Sequence, residues 1–361
     1  METALGAAPK AMRRGAGAEA RSLAVIAALL VLLIASVLCS IAVGAVRVPI
    51  RTLAAALVLQ HTLSEEQRVI LFAIRLPRIL ASAFVGAALS TAGLLFQGLF
   101  RNPLADPYVI GSSGGAVLGA SAGLFLLPPV SMLGFSATAL MAFAGSSLTV
   151  VLVYWLARVD GQTPVATLLL AGFAVSTMLS YSSYFVEVLD QDYGLGLRVL
   201  ASWLQGMIGI PRWTQLGVIG AMIALAFAFS FPLARRLNTL ALGDDYARQL
   251  GLQVESVRIG VIAAASLLTA SAVALGGLIS FVGLIVPHFA RLIAGPDHVR
   301  LLPVTALAGA LFLVVADTLA RTILAPSEVP VGVLMAFLGG PFFLYLLRRS
   351  KQGAGAKRAG A

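Results

Sequence analysis

Ten long apolar runs, separated by short polar segments, constrain the fold of this chain more than any other feature of its sequence. A helix needs about 20 mostly apolar residues to cross the hydrocarbon core of a bilayer. The chain is 59% hydrophobic and only 11% charged, which is too apolar for a soluble domain. We therefore predict an all-α polytopic membrane protein with ten transmembrane helices. The runs lie at Ser22 to Val46 and near residues 70–99, 108–128, 134–156, 165–187, 214–233, 257–275, 277–294, 301–320 and 330–348.

The segments around these runs define the predicted organisation. We expect a disordered basic tail at residues 1–21, a transmembrane domain at 22–349 and a second tail at 350–361. The first run is too long for the apolar core of a signal peptide. With the N-terminus inside, most of the 25 Lys and Arg residues fall on the cytoplasmic side, so both termini are predicted to be cytoplasmic. Irregular or re-entrant pieces are expected near 47–68 and 194–212.

The longest polar segment between two apolar runs extends from Arg235 to Arg258. Gly243 and Gly251 bracket its centre, and glycine readily takes the left-handed angles that end a helix. We predict one short helix between these two glycines. Its surface is either gripped by another protein or lies on the lipid headgroups as an interfacial helix. The large apolar residues expected to anchor it are Leu240, Leu242, Tyr246, Leu250 and Leu252.

Three arginines on the predicted outer side run against the topological preference for basic residues inside. Arg75 and Arg78 stand where the second run begins, and Arg321 ends the ninth. Guanidinium groups bind carboxylates in bidentate geometry, so these arginines suit a socket for acidic groups of a soluble partner. They equally suit snorkelling to lipid phosphates and, for Arg321, an ion pair with Asp317 one turn earlier.

The fifth run, Thr167 to Glu187, carries most of the polar groups found in any one apolar run. Its small and hydroxyl residues fall on one stripe at helical spacing, which suits either a tight helix contact or the wall of a passage for a large solute. The runs hold no carboxylate or histidine chain that would relay protons or bind sodium, so an ion-coupled secondary transporter is the disfavoured alternative. The stripe and its neighbour comprise Gly172, Ser176, Ser180, Ser183 and Tyr184.

The sequence lacks the residues that several other functional classes require. The chain has no GxxxxGK[ST] motif, and its lysines lie only in the tails, so it is not itself a P-loop ATPase. The three histidines His61, His288 and His298 show no metal-ligand spacing, and no catalytic pair is evident. The single cysteine, Cys39, excludes a disulfide within the chain. The basic residues are scattered over loops and tails, which disfavours nucleic acid as a partner.

Four segments together resemble the iron-chelate, haem and vitamin B12 permease family of ABC importers. They include the motifs LFRNPLADP and GDDYARQLG, and they extend over Arg75 to Ala120, Leu237 to Leu252, Gly276 to Pro303 and Val315 to Phe343. The resemblance implies a ten-helix permease subunit of the bacterial inner membrane that works as a homodimer. It also implies two cytoplasmic ATPase subunits, which hold ATP and Mg, and a periplasmic substrate-binding protein. This chain would bind no cofactor or metal and carry no catalytic residue.

The resemblance further implies roles for individual residues. Arg75, Arg78 and Arg321 match the outer arginines that receive acidic residues of the binding protein, and the fifth helix lines the pathway. Gln162 to Thr167 lies near the inner gate, although its residues differ from the polar gate of vitamin B12 permeases. The residues that match the helix coupled to the ATPase are Leu242, Gly243, Asp244, Asp245, Ala247, Arg248, Leu250 and Gly251.

The substrate is open at this point. The LFRNPLADP stretch is most similar to haem permeases, so the resemblance favours haem or another iron chelate, and a ferric siderophore or cobalamin is the alternative. In every case the implied mechanism is import by ATP-driven alternating access.

Overall fold

The structure, a computed structural model, describes residues 7–43, 64–128, 131–188 and 195–359. Most of the described chain is helical, and β1 (Ser131–Met132) and β2 (Phe135–Ser136) form a two-stranded antiparallel hairpin. The helices are α1 (Ala7–Ala42), α2 (Glu65–Leu99, with a π-helical stretch at Val69–Arg75), α3 (Ser112–Phe125), α4 (Ala137–Ala157), α5 (Val165–Val188), α6 (Leu195–Leu204), α7 (Trp213–Leu240), α8 (Asp244–Gln249), α9 (Val254–Gly276), α10 (Val282–Ala294), α11 (His298–Thr322) and α12 (Val331–Ala359).

Eight helices of the described chain are long and apolar enough to cross a membrane. These are α2, α4, α5, α7, α9, α11 and the apolar parts of α1 and α12, Ala20–Ala42 and Val331–Arg348. The runs near 108–128 and 277–294 instead contain α3 and α10, with 14 and 13 residues. At 1.5 Å per residue each measures about 20 Å, which is shorter than the bilayer core of about 30 Å. The prediction of an all-α, multi-pass membrane protein is confirmed, whereas ten crossings stay a prediction.

Backbone breaks shorten these two helices. Gly111 has a φ of 89° and stands at the N-cap of α3, so the residues before it are not helical. Gly277 and Phe281, with φ of 66° and 69°, separate the end of α9 from the start of α10. Positive φ ends a right-handed helix whatever the hydropathy of the residue. The apolar runs therefore continue through chain that is not helical.

The predicted boundaries also differ at both ends of the chain. Helix α1 begins at Ala7, inside the segment 1–21 that was expected to be disordered, and α12 continues to Ala359. The expected irregular piece near 47–68 lies mostly outside the described residues. The piece near 194–212 contains the short helix α6 and then a non-helical stretch up to α7.

Helices α2 and α9 form the buried centre of the domain, while α1 and α5 leave most of their surfaces exposed. Small residues allow the central helices to touch at backbone distance. A Cβ atom placed on Gly86 of α2 would overlap the Gly309 carbonyl of α11, and one on Gly93 would overlap the Gly283 carbonyl of α10. Such contacts are how helices associate in lipid, where hydrophobicity alone does not join them.

Candidate functional site

Helix α8 lies between two glycines with positive φ, 116° at Gly243 and 79° at Gly251. The predicted short helix, bounded by glycine turns, is confirmed. Ala247 is fully buried and faces the rest of the protein, so it seats α8 on the domain. Asp245, Arg248 and Gln249 are exposed.

Large apolar side chains lie among the exposed polar residues of α8 and its flanks. Leu242, Tyr246 and Leu250 are 64%, 66% and 67% exposed. Leu240 is buried and Leu252 is half-buried, so only these two of the five predicted anchors pack inward. Exposed large apolar side chains in one short polar segment mark a surface that another molecule covers.

A network of ion pairs attaches α8 to the domain. Asp244 of α8 bonds both Arg101, in the connection between α2 and α3, and Arg258, in α9. Arg258 also lies 3.5 Å from Glu255, one turn earlier in α9. One carboxylate of α8 is thus shared between two arginines on different parts of the chain.

Glu255 also holds the turn between α4 and α5. Its carboxylate accepts hydrogen bonds from the Tyr154 hydroxyl at 2.9 Å and from the backbone N–H and the hydroxyl of Thr163. Asp160 and Gly161 have positive φ, and Val159 and Gln162 on either side pair as an antiparallel bridge. An Asp-Gly pair is the usual sequence signal for such a turn, and our sequence analysis missed it along with the role of Glu255.

A cavity of about 340 Å³ lies between this turn and the connection from α8 to α9. Gln162 and Arg248 both line it, and the Arg248 guanidinium donates a 3.3 Å hydrogen bond to the Gln162 side-chain oxygen. The turn and α8 are therefore joined by polar side chains rather than by close apolar packing.

The loop from α2 to α3 contains two Asx-Pro pairs, Asn102-Pro103 and Asp106-Pro107. The side chain of Asn102 accepts a bond from the Leu104 N–H, and that of Asp106 accepts one from the Tyr108 N–H, both at 3.0 Å. Burial raises the pKa of Asp106 to about 6, because the apolar surroundings disfavour the charged carboxylate. Local side-chain bonds of this kind, next to prolines that restrict the backbone, hold the loop in shape.

Arg75, Arg78 and Arg321 lie together at the opposite end of the helices, near the start of α2. Arg78 bonds Asp317 at 3.1 Å and Glu328 at 2.7 Å. Arg321 lies 3.2 Å from Asp317, so the predicted ion pair one turn apart is confirmed. The three arginines face two carboxylates, which leaves this outer cluster with a net positive charge.

Apart from the exposed Glu328, the side chains of the outer cluster are largely buried, and the cluster is also bonded to α1. Arg321 donates to the Ser40 hydroxyl at 2.8 Å, and Arg75 donates to the Ile41 carbonyl. Asp317, a single carboxylate in the ninth apolar run, is almost fully buried in α11. Arg78 and Arg321 both contact its carboxylate, so its charge is paired.

The polar stripe of α5 faces its own chain. Gly172 packs against the Ile110–Gly111 backbone, and Ser176 bonds the Ser113 hydroxyl and the Gly114 N–H of α3 at 3.3 and 3.0 Å. This part of the stripe is the tight helix contact that the sequence left open. Ser180 is half-buried and its carbonyl accepts a bond from the buried Ser183. The exposed face of α5 is instead large and aromatic, with Phe173, Tyr181, Tyr184 and Phe185.

No group of three or more His, Cys, Asp or Glu side chains within the described ranges is arranged to hold a metal ion. His298 begins α11, and its Nδ1 lies 2.7 Å from the Asn238 side chain of α7. His288 stacks edge-on against Phe342. His61 lies outside the described residues.

Comparison with known proteins places these features in a family context. Residues 32–349 match the family model described as the FecCD transport family. The chain is 44% identical over 300 residues to the cobalamin import system permease protein BtuC of Halobacterium salinarum, covering 83% of this chain and 79% of the relative. It is 40% identical over 282 residues to the hemin transport system permease protein HmuU of Yersinia pestis, covering 77% and 83%.

A solved structure, described as an inward-facing conformation of a metal-chelate type ABC transporter, has the same fold. Its TM-score is 0.77 at 29% sequence identity, and the alignment covers 91% of this chain and 99% of that one.

Proposed function

This chain belongs to the FecCD transport family, and on that premise we propose that it is the permease of a binding-protein-dependent importer driven by ATP. Two copies form the transport pathway, two cytoplasmic ATPase subunits bind the α8 end, and a periplasmic binding protein delivers the substrate to the outer cluster. The chain itself carries out no covalent chemistry, and ATP and Mg are held by the ATPase subunits. Its place is the bacterial inner membrane, with both termini in the cytoplasm.

The exposed apolar surface of α8 carries this proposal. Tyr246 projects from α8, and Leu242 and Leu250 project from its flanks, while a single buried residue of the helix, Ala247, seats it on the domain. Apolar anchors surrounded by charged residues are typical of the energetic centre of a protein interface. A partner that grips them also moves Asp244, which is bonded to two other parts of the chain.

For the substrate we propose haem or another iron chelate, with a ferric siderophore or cobalamin as the alternative within the same family. The exposed aromatic face of α5 supports a flat, largely apolar solute, because aromatic side chains stack on conjugated rings. The two relatives above are named for cobalamin and hemin, and their similar identities do not separate these substrates.

Capture of the ATPase subunits tests the coupling surface. The complex is purified from cells that produce all subunits, and the amount of ATPase subunit that copurifies is measured. It should fall at least about tenfold for the double variant Tyr246→Ala, Leu250→Ala, since each interface anchor contributes about 2 kcal/mol or more to binding. Leu292→Ala is the matched control, because Leu292 is 69% exposed near the same end of the helices, in α10. Equal capture by the double variant and the control would contradict the assignment of α8.

Uptake into proteoliposomes tests the function and the substrate. Complexes with the cognate binding protein should show ATPase stimulation and uptake with haem but not with a ferric siderophore or cobalamin. Stimulation by a ferric siderophore or by cobalamin, and not by haem, would identify that compound as the class of substrate. Uphill uptake by the chain without nucleotide or ATPase subunits would contradict the function itself and favour an ion-coupled carrier.

A further inference from the structure

Polar contacts around Glu255 join parts of the α8 end that do not otherwise pack closely together. Asp244 of α8 bonds Arg258 of α9 and Arg101 of the α2–α3 loop. Arg258 contacts Glu255, and Glu255 holds Thr163 in the turn before α5. These contacts form a continuous path from the surface of α8 to the helix with the exposed aromatic face.

We propose that Arg258 and Glu255 are positioning residues that convert a displacement of α8 into release of the turn before α5. The inference rests on the proposed function, in which ATPase subunits move α8. Arg258 is shared between Asp244 and Glu255. When α8 draws Asp244 away, Arg258 closes on Glu255 and competes with Thr163 for the same carboxylate.

The bond pattern at Glu255 supports this competition. Its Oε1 accepts from the hydroxyls of Tyr154 and Thr163, whereas its Oε2 accepts from the Thr163 N–H at 3.3 Å and faces Arg258 at 3.5 Å. A guanidinium bonds a carboxylate more strongly than a backbone amide does. An approach of Arg258 by a few tenths of an ångström therefore weakens the hold of Oε2 on Thr163.

The consequence for α5 follows from the position of Thr163. Its side chain is buried, and it lies two residues before α5 begins at Val165. Helix α9, which carries both Glu255 and Arg258, is mostly buried against α2, so it is the fixed part of the device. The neighbouring cavity of about 340 Å³ gives the turn space to move.

The exchange of Arg258 between Asp244 and Glu255 costs little free energy, because the two carboxylates are partly exposed to water. The side chains of Asp244 and Glu255 are about one quarter exposed, so water replaces their lost contacts at little cost in free energy. Arg258 is 10% exposed, and it keeps a carboxylate partner in both arrangements. Arg101 retains its own contact with Asp244, so the α2–α3 loop follows α8 in the same movement. Two arrangements of such a network are what a switch requires.

A double-mutant cycle between Asp244 and Thr163 tests the path, because the two side chains are connected through Arg258 and Glu255. In the full complex in proteoliposomes, Asp244→Asn and Thr163→Val should each lower substrate imported per ATP hydrolysed by about two- to tenfold. The double variant should be no worse than the poorer single variant. Multiplied losses would show that the two residues act independently and would overturn the proposal.

Asp160→Asn is the matched control, since it removes one exposed carboxylate charge near the same end, lies outside the contacts that run from Asp244 to Thr163, and keeps a residue that tolerates positive φ. It should leave the ratio of import to hydrolysis unchanged. A spin label at Arg158→Cys, in a Cys39→Ser background, supplies a readout that a merely structural role would not move. Asp244→Asn should raise label mobility without nucleotide, and unchanged mobility would contradict release of the turn.

These outcomes separate the inference from the function on which it rests. If the wild-type complex imports substrate and the cycle is multiplicative, the path is wrong and the proposed function stands. If the wild-type complex neither binds ATPase subunits nor imports substrate, the proposed function itself fails. Tyr154→Phe removes one bond to Glu255 and, should Thr163→Val not fold, replaces it in the cycle with the same expectation.

Discussion

The two ends of the helical domain each hold arginines paired with carboxylates, yet the pairs differ in their exposure to water. In the outer cluster, Asp317 is 2% exposed and Arg78 is 9% exposed. At the α8 end, the corresponding values are 25% for Asp244 and 42% for Arg101. A buried pair leaves an uncompensated charge when one partner is lost, whereas a wet pair is replaced by water at little cost. The pairs of Asp317 in the outer cluster are therefore a fixed tie, and the Arg101–Asp244 pair of the network at α8 is able to rearrange.

The parts of the chain that the two sets of ion pairs join agree with this difference in exposure. The outer cluster joins α1, α2 and α11, which are long helices of the domain. The network at α8 joins a six-residue helix, a loop and a turn to the end of α9. Similar chemistry thus serves rigid assembly at one end and adjustable connection at the other.

The largest effect is expected from Asp317→Asn. The change leaves Arg78 and Arg321 buried without their shared carboxylate, which should lower the free energy of unfolding by about 3–5 kcal/mol. Reversible unfolding in detergent, followed by circular dichroism, measures the loss. Asp297→Asn is the control on the same helix, since Asp297 caps the start of α11 and asparagine caps equally well. Equal stability of the two variants would show that the outer cluster is not a fixed tie.

A smaller effect is expected from Arg101→Gln at the other end. The Arg101–Asp244 pair is partly exposed, so its removal should change the free energy of unfolding by less than about 1 kcal/mol. The wild-type contribution should fall further in about 1 M salt, where the screening length is about 3 Å. Unfolding of wild type and variant at low and high salt measures both effects. A loss as large as that of Asp317→Asn would remove the distinction between the two ends.

Hydropathy predicted the class of the fold well, because long apolar runs and bilayer thickness leave few alternatives. It failed where helices stop inside apolar sequence. Gly111, Gly277 and Phe281 take positive φ, and only the glycines give any warning of this in the sequence. Their conformations depend on neighbours distant in the chain, such as the Trp203 carbonyl that packs against Gly277.

The sites were predictable to different degrees. The helix at α8 was predictable because its signals, two glycines around polar residues, are local. The contacts of Glu255 were not, since they join residues about 90 to 100 positions apart and an isolated glutamate at a helix start usually indicates only a favourable helix dipole. The stripe of α5 was correctly recognised as a stripe, but sequence spacing does not show which neighbour covers it.

The smallest expected effect concerns Glu328, the most exposed member of the outer cluster. If the binding protein presents acidic groups to Arg78, Glu328 competes with them from within the chain. Glu328→Gln should then strengthen binding of the binding protein by about two- to fivefold, since one charge at the edge of an interface alters affinity only modestly. Surface plasmon resonance on the complex in nanodiscs measures the dissociation constant.

The control for this last prediction is Glu66→Gln, which removes the same charge near the start of α2, where Glu66 is exposed. An increase in affinity confined to Glu328→Gln would mean that Arg78 pairs either with Glu328 or with a carboxylate of the partner. The contact of Arg78 with Glu328 would then be exchangeable, whereas its contact with Asp317 would stay fixed. Equal increases in both variants would reflect only long-range charge. Weaker binding after Glu328→Gln would mean that Glu328 itself contacts the partner, and the outer arginines would then be structural.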